Sequence, residues 1–110
     1  FDKLNGFDEN IFMYTEDMEF CYRAKLNGFE TYFYPKVNVI HKEHGSTNRI
    51  FAIVNIYKNL LYFYKKHKTL PEYLILKSLL TIKAYVLILV GTLLNNSYLK
   101  ETYKQALKAI

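Results

Sequence analysis

The spacing of apolar residues changes period along the chain. Behind Thr15, Phe20, Ala24 and Leu26 recur at helical spacing. Thr15 is a plausible N-cap, and Glu16 and Asp17 fill a first turn, where the helix dipole favours negative charge. Asn27-Gly28 supplies a stop, with Gly28 suited to a left-handed C-terminal position. Residues 30–34, Glu-Thr-Tyr-Phe-Tyr, are rich in strand formers, and 37–40 alternate Val-Asn-Val-Ile after Pro35. This pattern predicts two short strands. A polar loop runs over 42–48.

From residue 49 the rhythm becomes helical. Ile53, Ile56, Leu60 and Phe63 mark one face of a helix over 49–67, closed by Lys65-Lys66-His67-Lys68. Pro71 suits the first turn of a second helix, running from about 72 to 94. Asn95-Asn96-Ser97 interrupts it, and an amphipathic helix over about 98–109 follows. The 73–94 stretch raises the question of a membrane span, which needs about 20 mainly apolar residues. Lys77 and Lys83 interrupt it, so we expect a buried packing or dimer helix, with an interfacial helix second. The architecture expected is α+β: a helix and a short strand pair, then a helical tail.

Composition fits a packed domain. The 110 residues are 51% hydrophobic and 17% aromatic, which argues against disorder. The single Cys21 excludes an internal disulfide and suits a reducing compartment. The chain opens Phe1-Asp2-Lys3, with neither an initiating Met nor a signal-like segment. We therefore read it as a piece of a longer protein. Charge divides it further: residues 1–48 carry five basic against eight acidic residues, a net of −3. Residues 49–110 carry ten against two, a net of +8. The halves read as two modules, 1–48 acidic and 49–110 basic, the second suited to an anionic surface. Its lysines are spread among apolar residues and match no nucleic-acid-binding motif, so nucleic acid is not an expected partner.

The chemistry concentrates at Glu16-Asp17. On local grounds two adjacent carboxylates at a helix start are either a structural charge or a base with a helper; Glu19 reads as a solvated helix residue. Asp8, in a Gly-Phe-Asp-Glu turn, is either a turn former or a substrate contact. Four pieces stand in register: Asn5-Gly6-Phe7-Asp8-Glu9; Phe12 through Ala24; Gly28 through Pro35; and Val39-Ile40-His41 with Gly45-Ser46. Together, over residues 4–48, they resemble the C-terminal part of the catalytic domain of inverting family-2 glycosyltransferases, especially the rhamnosyltransferase-like branch.

The resemblance implies a GT-A-type α/β domain of which this chain is the C-terminal portion. It implies that Asp17 is the general base that takes the acceptor hydroxyl's proton, with Glu16 in support. It places Asp8 on the acceptor side, with His44 and Arg49 near the donor diphosphate. His41 would ligate a divalent cation, Mn²⁺ or Mg²⁺. The expected substrates are a nucleotide-sugar donor and a glycan or lipid-linked acceptor. The expected place is the cytoplasm, at the inner face of the cell membrane, with homo-oligomerisation and peripheral membrane contact. The donor-binding half is absent from these residues, so the chain alone is expected to be inactive. The competing reading is a non-enzymatic helical interaction module, in which the acids only cap a helix.

Overall fold

The computed structural model describes residues 1–40 and 48–110, and the chain divides into two compact units, Phe1–Thr47 and Asn48–Ile110. Among the described residues the regular elements are a 3-10 turn at Asp2–Leu4 and four helices: α1 Glu16–Leu26, α2 Arg49–His67, α3 Leu70–Leu93 and α4 Ser97–Lys108.

The α+β expectation is overturned, because no strand occurs among the described residues. Residues 30–40 are irregular and exposed throughout, with Phe33 at 90% and Ile40 at 92% exposure. The reason is that strand propensity reflects packing on a pleated surface with cross-strand neighbours. Pro35 also removes a backbone donor between the two runs. An isolated two-stranded hairpin is at best marginal in water. These side chains are strand-like in type, but no strand among the described residues pairs with them.

In the first unit α1 begins and stops where its caps predict. Gly28, at φ +79°, follows the C-cap Asn27. The Phe29 amide donates to the Ala24 carbonyl at 3.0 Å and the Gly28 amide to Lys25 at 3.1 Å. That pair of bonds is the Schellman closure, which satisfies two of the helix's last carbonyls.

The second unit is a three-helix assembly. The α2 boundaries coincide with the periodic stretch, and the Asn48 side chain caps α2 by accepting from the Ile50 amide at 3.0 Å. α3 begins two residues earlier than the pattern suggests, because Thr69 and Glu72 close its N-terminus. Glu72 accepts from the Thr69 amide at 2.9 Å and from its hydroxyl at 2.6 Å. Those bonds hold the Glu72 carboxyl below its ordinary range. Asn96 caps α4, accepting from the Leu99 amide at 2.9 Å.

The core joins Tyr57 and Leu61 of α2, Leu80 and Ala84 of α3, and Tyr103 and Ala106 of α4. Ala84 and Ala106 are wholly buried. Burying each large side chain contributes about 1.5–3 kcal/mol. Gly91 marks a close approach of α3 to the start of α4: a Cβ there would lie 2.9 Å from the Lys100 amide nitrogen and 3.2 Å from the Asn96 carbonyl. Both are backbone atoms, which cannot swing aside. Gly91→Ala is therefore expected to destabilise the chain by about 1–3 kcal/mol through overpacking. A lower midpoint in thermal denaturation would show it; an unchanged midpoint would mean that α4 shifts freely.

Tyr57 carries a second consequence. Its hydroxyl is buried and finds no partner among the described residues. Burial, reinforced by Tyr103 nearby, pushes its pKa up to about 12. The Tyr103 ring meets it edge-on at 6.3 Å between centroids. Tyr57→Phe keeps the ring contact and removes the stranded hydroxyl, so its stability should equal or exceed that of the parent. A folded-state pKa above the ordinary 10 contributes stability below pH 10 that is lost as pH rises towards 12. The Phe variant should lack that part of the alkaline decline. Chemical denaturation at pH 8 and 11 checks both points.

The expectation for 73–94 also changes. α3 is long and apolar enough to cross a membrane by length and composition, with a mean hydropathy of 2.0, yet only 17% of that window is buried in the chain. It is not the buried packing helix that its composition suggests.

Candidate active site

The start of α1 is built from an unusual piece of backbone. Tyr14 and Thr15 both have positive φ, at 67° and 68°. Such angles are uncommon outside glycine, and they are outliers for bulky or β-branched residues. Each costs on the order of 1–3 kcal/mol, a strain found most often at functional sites. Thr15 is the N-cap by position, as the sequence indicates. It does not cap by the expected chemistry, because its side chain makes no cap bond. A Thr that caps normally holds an extended backbone, which aims its hydroxyl at the first amides.

The acids downstream divide their roles. Asp17 is exposed, and its Oδ1 accepts from the Met18 amide at 2.8 Å. It thus satisfies one of the amides that a helix start leaves open. Glu16 is half-buried; its Oε2 and the Thr15 hydroxyl are enclosed with no hydrogen-bond partner among the described residues. Unsatisfied oxygens of this kind call for a donor, as a hydroxyl-bearing ligand would supply.

Glu19 is the residue that sequence reasoning missed. Far from being solvated, its side chain is wholly buried, and Arg23 Nε lies 2.9 and 2.8 Å from its two oxygens. The rest of the Arg23 guanidinium reaches back along the chain. It donates to the Gly6 carbonyl at 2.7 Å and to the Leu4 carbonyl. The same guanidinium stands 5.6 Å from the Phe20 ring, which clusters with Phe1 and Phe7 at centroid distances of 5.3–5.5 Å. A part-buried ion pair and three rings therefore fasten the N-terminal turns to α1. The available signal was the four-residue spacing of Glu19 and Arg23, which places them on one helix face.

Asp8 takes its turn-forming role. Its Oδ1 accepts from the Asn10 amide at 3.0 Å and from the Asn10 side chain at 2.9 Å, while its carbonyl accepts from the Ile11 amide at 2.9 Å. Arg49 is the exposed first residue of α2, in the second unit. His41 and His44 lie outside the described residues. Among the described residues no group of three His, Cys, Asp or Glu side chains gathers to hold a metal. Glu16 and Asp17 are thus the expected site residues that one short segment places together.

No protein-family model matches the chain, and no solved structure matches it. Among curated proteins it is similar to the rhamnosyltransferase WbbL of Escherichia coli (strain K12). The two are 36% identical over 52 residues, which is 47% of this chain and 20% of that protein. The chain thus aligns with about a fifth of the length of the curated relative it matches. That likeness supports a glycosyltransferase-like relationship in general terms.

Proposed function

We propose that the first unit forms the acceptor-and-base wall of an inverting glycosyltransferase. The observation that carries this reading is the likeness to a rhamnosyltransferase, together with the exposed Asp17 on the helix that follows the strained Tyr14–Thr15 pair. In this reading Asp17 takes the proton from the acceptor hydroxyl as that oxygen attacks the anomeric carbon. The nucleoside diphosphate departs from the opposite face, and inversion results from this single in-line displacement. Glu16, half-buried beside it, accepts a hydrogen bond from the acceptor and orients it. Asp8 keeps the neighbouring turn in shape and lines the acceptor side.

The whole protein would use a nucleotide-sugar donor and a glycan or lipid-linked acceptor in cell-surface polysaccharide synthesis, at the cytoplasmic face of the membrane. His41, His44 and Arg49 would serve the donor diphosphate and its divalent cation. The parts that hold the donor are supplied by the rest of the full-length protein.

The test is Asp17→Asn in the full-length enzyme, beside Glu16→Gln, assayed for sugar transfer with folding checked by circular dichroism. The reading requires transfer to collapse in the first and to weaken in the second. Undiminished transfer by Asp17→Asn would remove the base from this helix.

A further inference from the structure

α3 is apolar on both sides, and its own unit covers only one. The covered side carries Leu80, Ala84 and Gly91, which are buried. The opposite side presents Ile75, Leu79, Ile82, Val86, Leu89 and Leu93, exposed by 51% at Val86 to 76% at Leu93. Their spacing is four, three, four, three, four. That is the 3.5-residue period of a coiled-coil seam, with Leu79, Val86 and Leu93 at one core position and Ile75, Ile82 and Leu89 at the other. The row beside the seam repeats every seven residues as Ser78, Tyr85 and Thr92, all hydroxyl-bearing and all exposed. No charge falls on the seam. On a wheel of about 100° per residue, Lys83 stands roughly 80° from its centre and Lys77 roughly 160°.

We propose that this face of α3 is an interface with a second copy of the chain, α3 against α3 along this seam. A helix that is apolar all round is covered on every side in its working state. Three observations favour a helix over lipid as the cover. Lipid imposes no 3.5-residue period. A membrane-crossing α3 would carry the charge of Lys83 at mid-helix, where the bilayer centre strongly disfavours it, and would bring Lys100 and Lys104 of the adjoining α4 with it. A surface-lying helix needs a strongly polar opposite face, whereas that face of α3 is the Leu80, Ala84 and Gly91 stripe. With Tyr85 and Leu74, both at least half exposed, the area on offer is comparable with the roughly 800 Å² per partner of a standard interface. This interface does not depend on the sugar-transfer reading.

The two occupants respond oppositely to salt. Residues 49–110 carry a net charge of +8, so two copies repel, and salt should strengthen their association by screening. Binding to an anionic bilayer would weaken. The experiment is light scattering of the 110-residue chain at low and high salt, beside the double variant Ile82→Glu/Leu89→Glu and the control Leu70→Glu, an exposed residue off the seam. We expect a mass at least twice 13.1 kDa, more so at high salt. The seam variant should be monomeric with unchanged helicity, and the control should associate like the parent. A monomeric parent would overturn the proposal, as would a seam variant that still associates or a control that fails equally. Flotation with phosphatidylglycerol vesicles covers the remaining case. Seam-dependent, salt-sensitive vesicle binding by a chain that is monomeric in solution would make lipid the occupant.

Discussion

Replacing Glu19 with Ala is expected to unfold the first unit, at a cost of up to about 3 kcal/mol, the low end of the range for removing one partner from a buried ion pair, since the Arg23 side chain is 18% exposed. The magnitude comes from the charge left behind. Arg23 would keep its bonds to the Leu4 and Gly6 carbonyls, but its charge would lose the enclosed carboxylate that balances it. A unit of fewer than 50 residues has little margin, so the loss should abolish its cooperative transition. Glu19→Gln should fall short of rescue, since a neutral amide accepts hydrogen bonds but carries no charge. Glu19→Ala with Arg23→Met should recover part of the loss, because the pair is then gone from both sides. Urea denaturation followed by the ellipticity of α1 distinguishes these outcomes. Equal stability of Glu19→Ala and the parent would show that the pair is not enclosed as described.

Asp17→Asn in the full-length enzyme is expected to lower kcat by about 10²–10⁴-fold, the usual contribution of a general base, with KM little changed. Stability should hardly move, because Asp17 is exposed and an Asn oxygen can still accept from the Met18 amide. The split between activity and stability is the informative part. A residue that only neutralised the helix end would show the same small loss of stability, at most about 0.3–1 kcal/mol, but with transfer intact.

The helices were legible because each carries its own instructions. α2 shows its period at Ile53, Ile56, Leu60 and Phe63, and α4 has Asn96 for a cap. Gly28 stops α1 by a local backbone geometry that needs nothing distant. The strand pair was misread because 30–40 has strand-like side chains and no ladder; that information lies outside the segment. Glu19 was misread for a related reason. Its neighbours in sequence suggest a solvated acid, but its side chain is wholly buried against Arg23, whose guanidinium reaches residues distant in sequence, Leu4 and Gly6. α3 was read as a buried packing or dimer helix, and the packing half of that reading fails within the chain, since only 17% of its apolar stretch is buried there. At the site, the position of Asp17 and of the Thr15 cap could be read. The left-handed turn at Tyr14–Thr15 could not, since neither residue type favours it.

The Arg23 clamp also sets which positions are free to change. The guanidinium grips the carbonyl oxygens of Leu4 and Gly6, and every amino acid supplies a carbonyl. Asn5, exposed between them in a left-handed conformation, is constrained by its backbone angle alone. Drift in side-chain identity at that exposed position is therefore compatible with an intact clamp. Positions 19 and 23 have no such latitude, because charge and fork geometry must both be kept. Mutational tolerance in this unit should be lopsided: permissive at Asn5 for residues that accept a left-handed backbone, strict on the two residues that hold the turn.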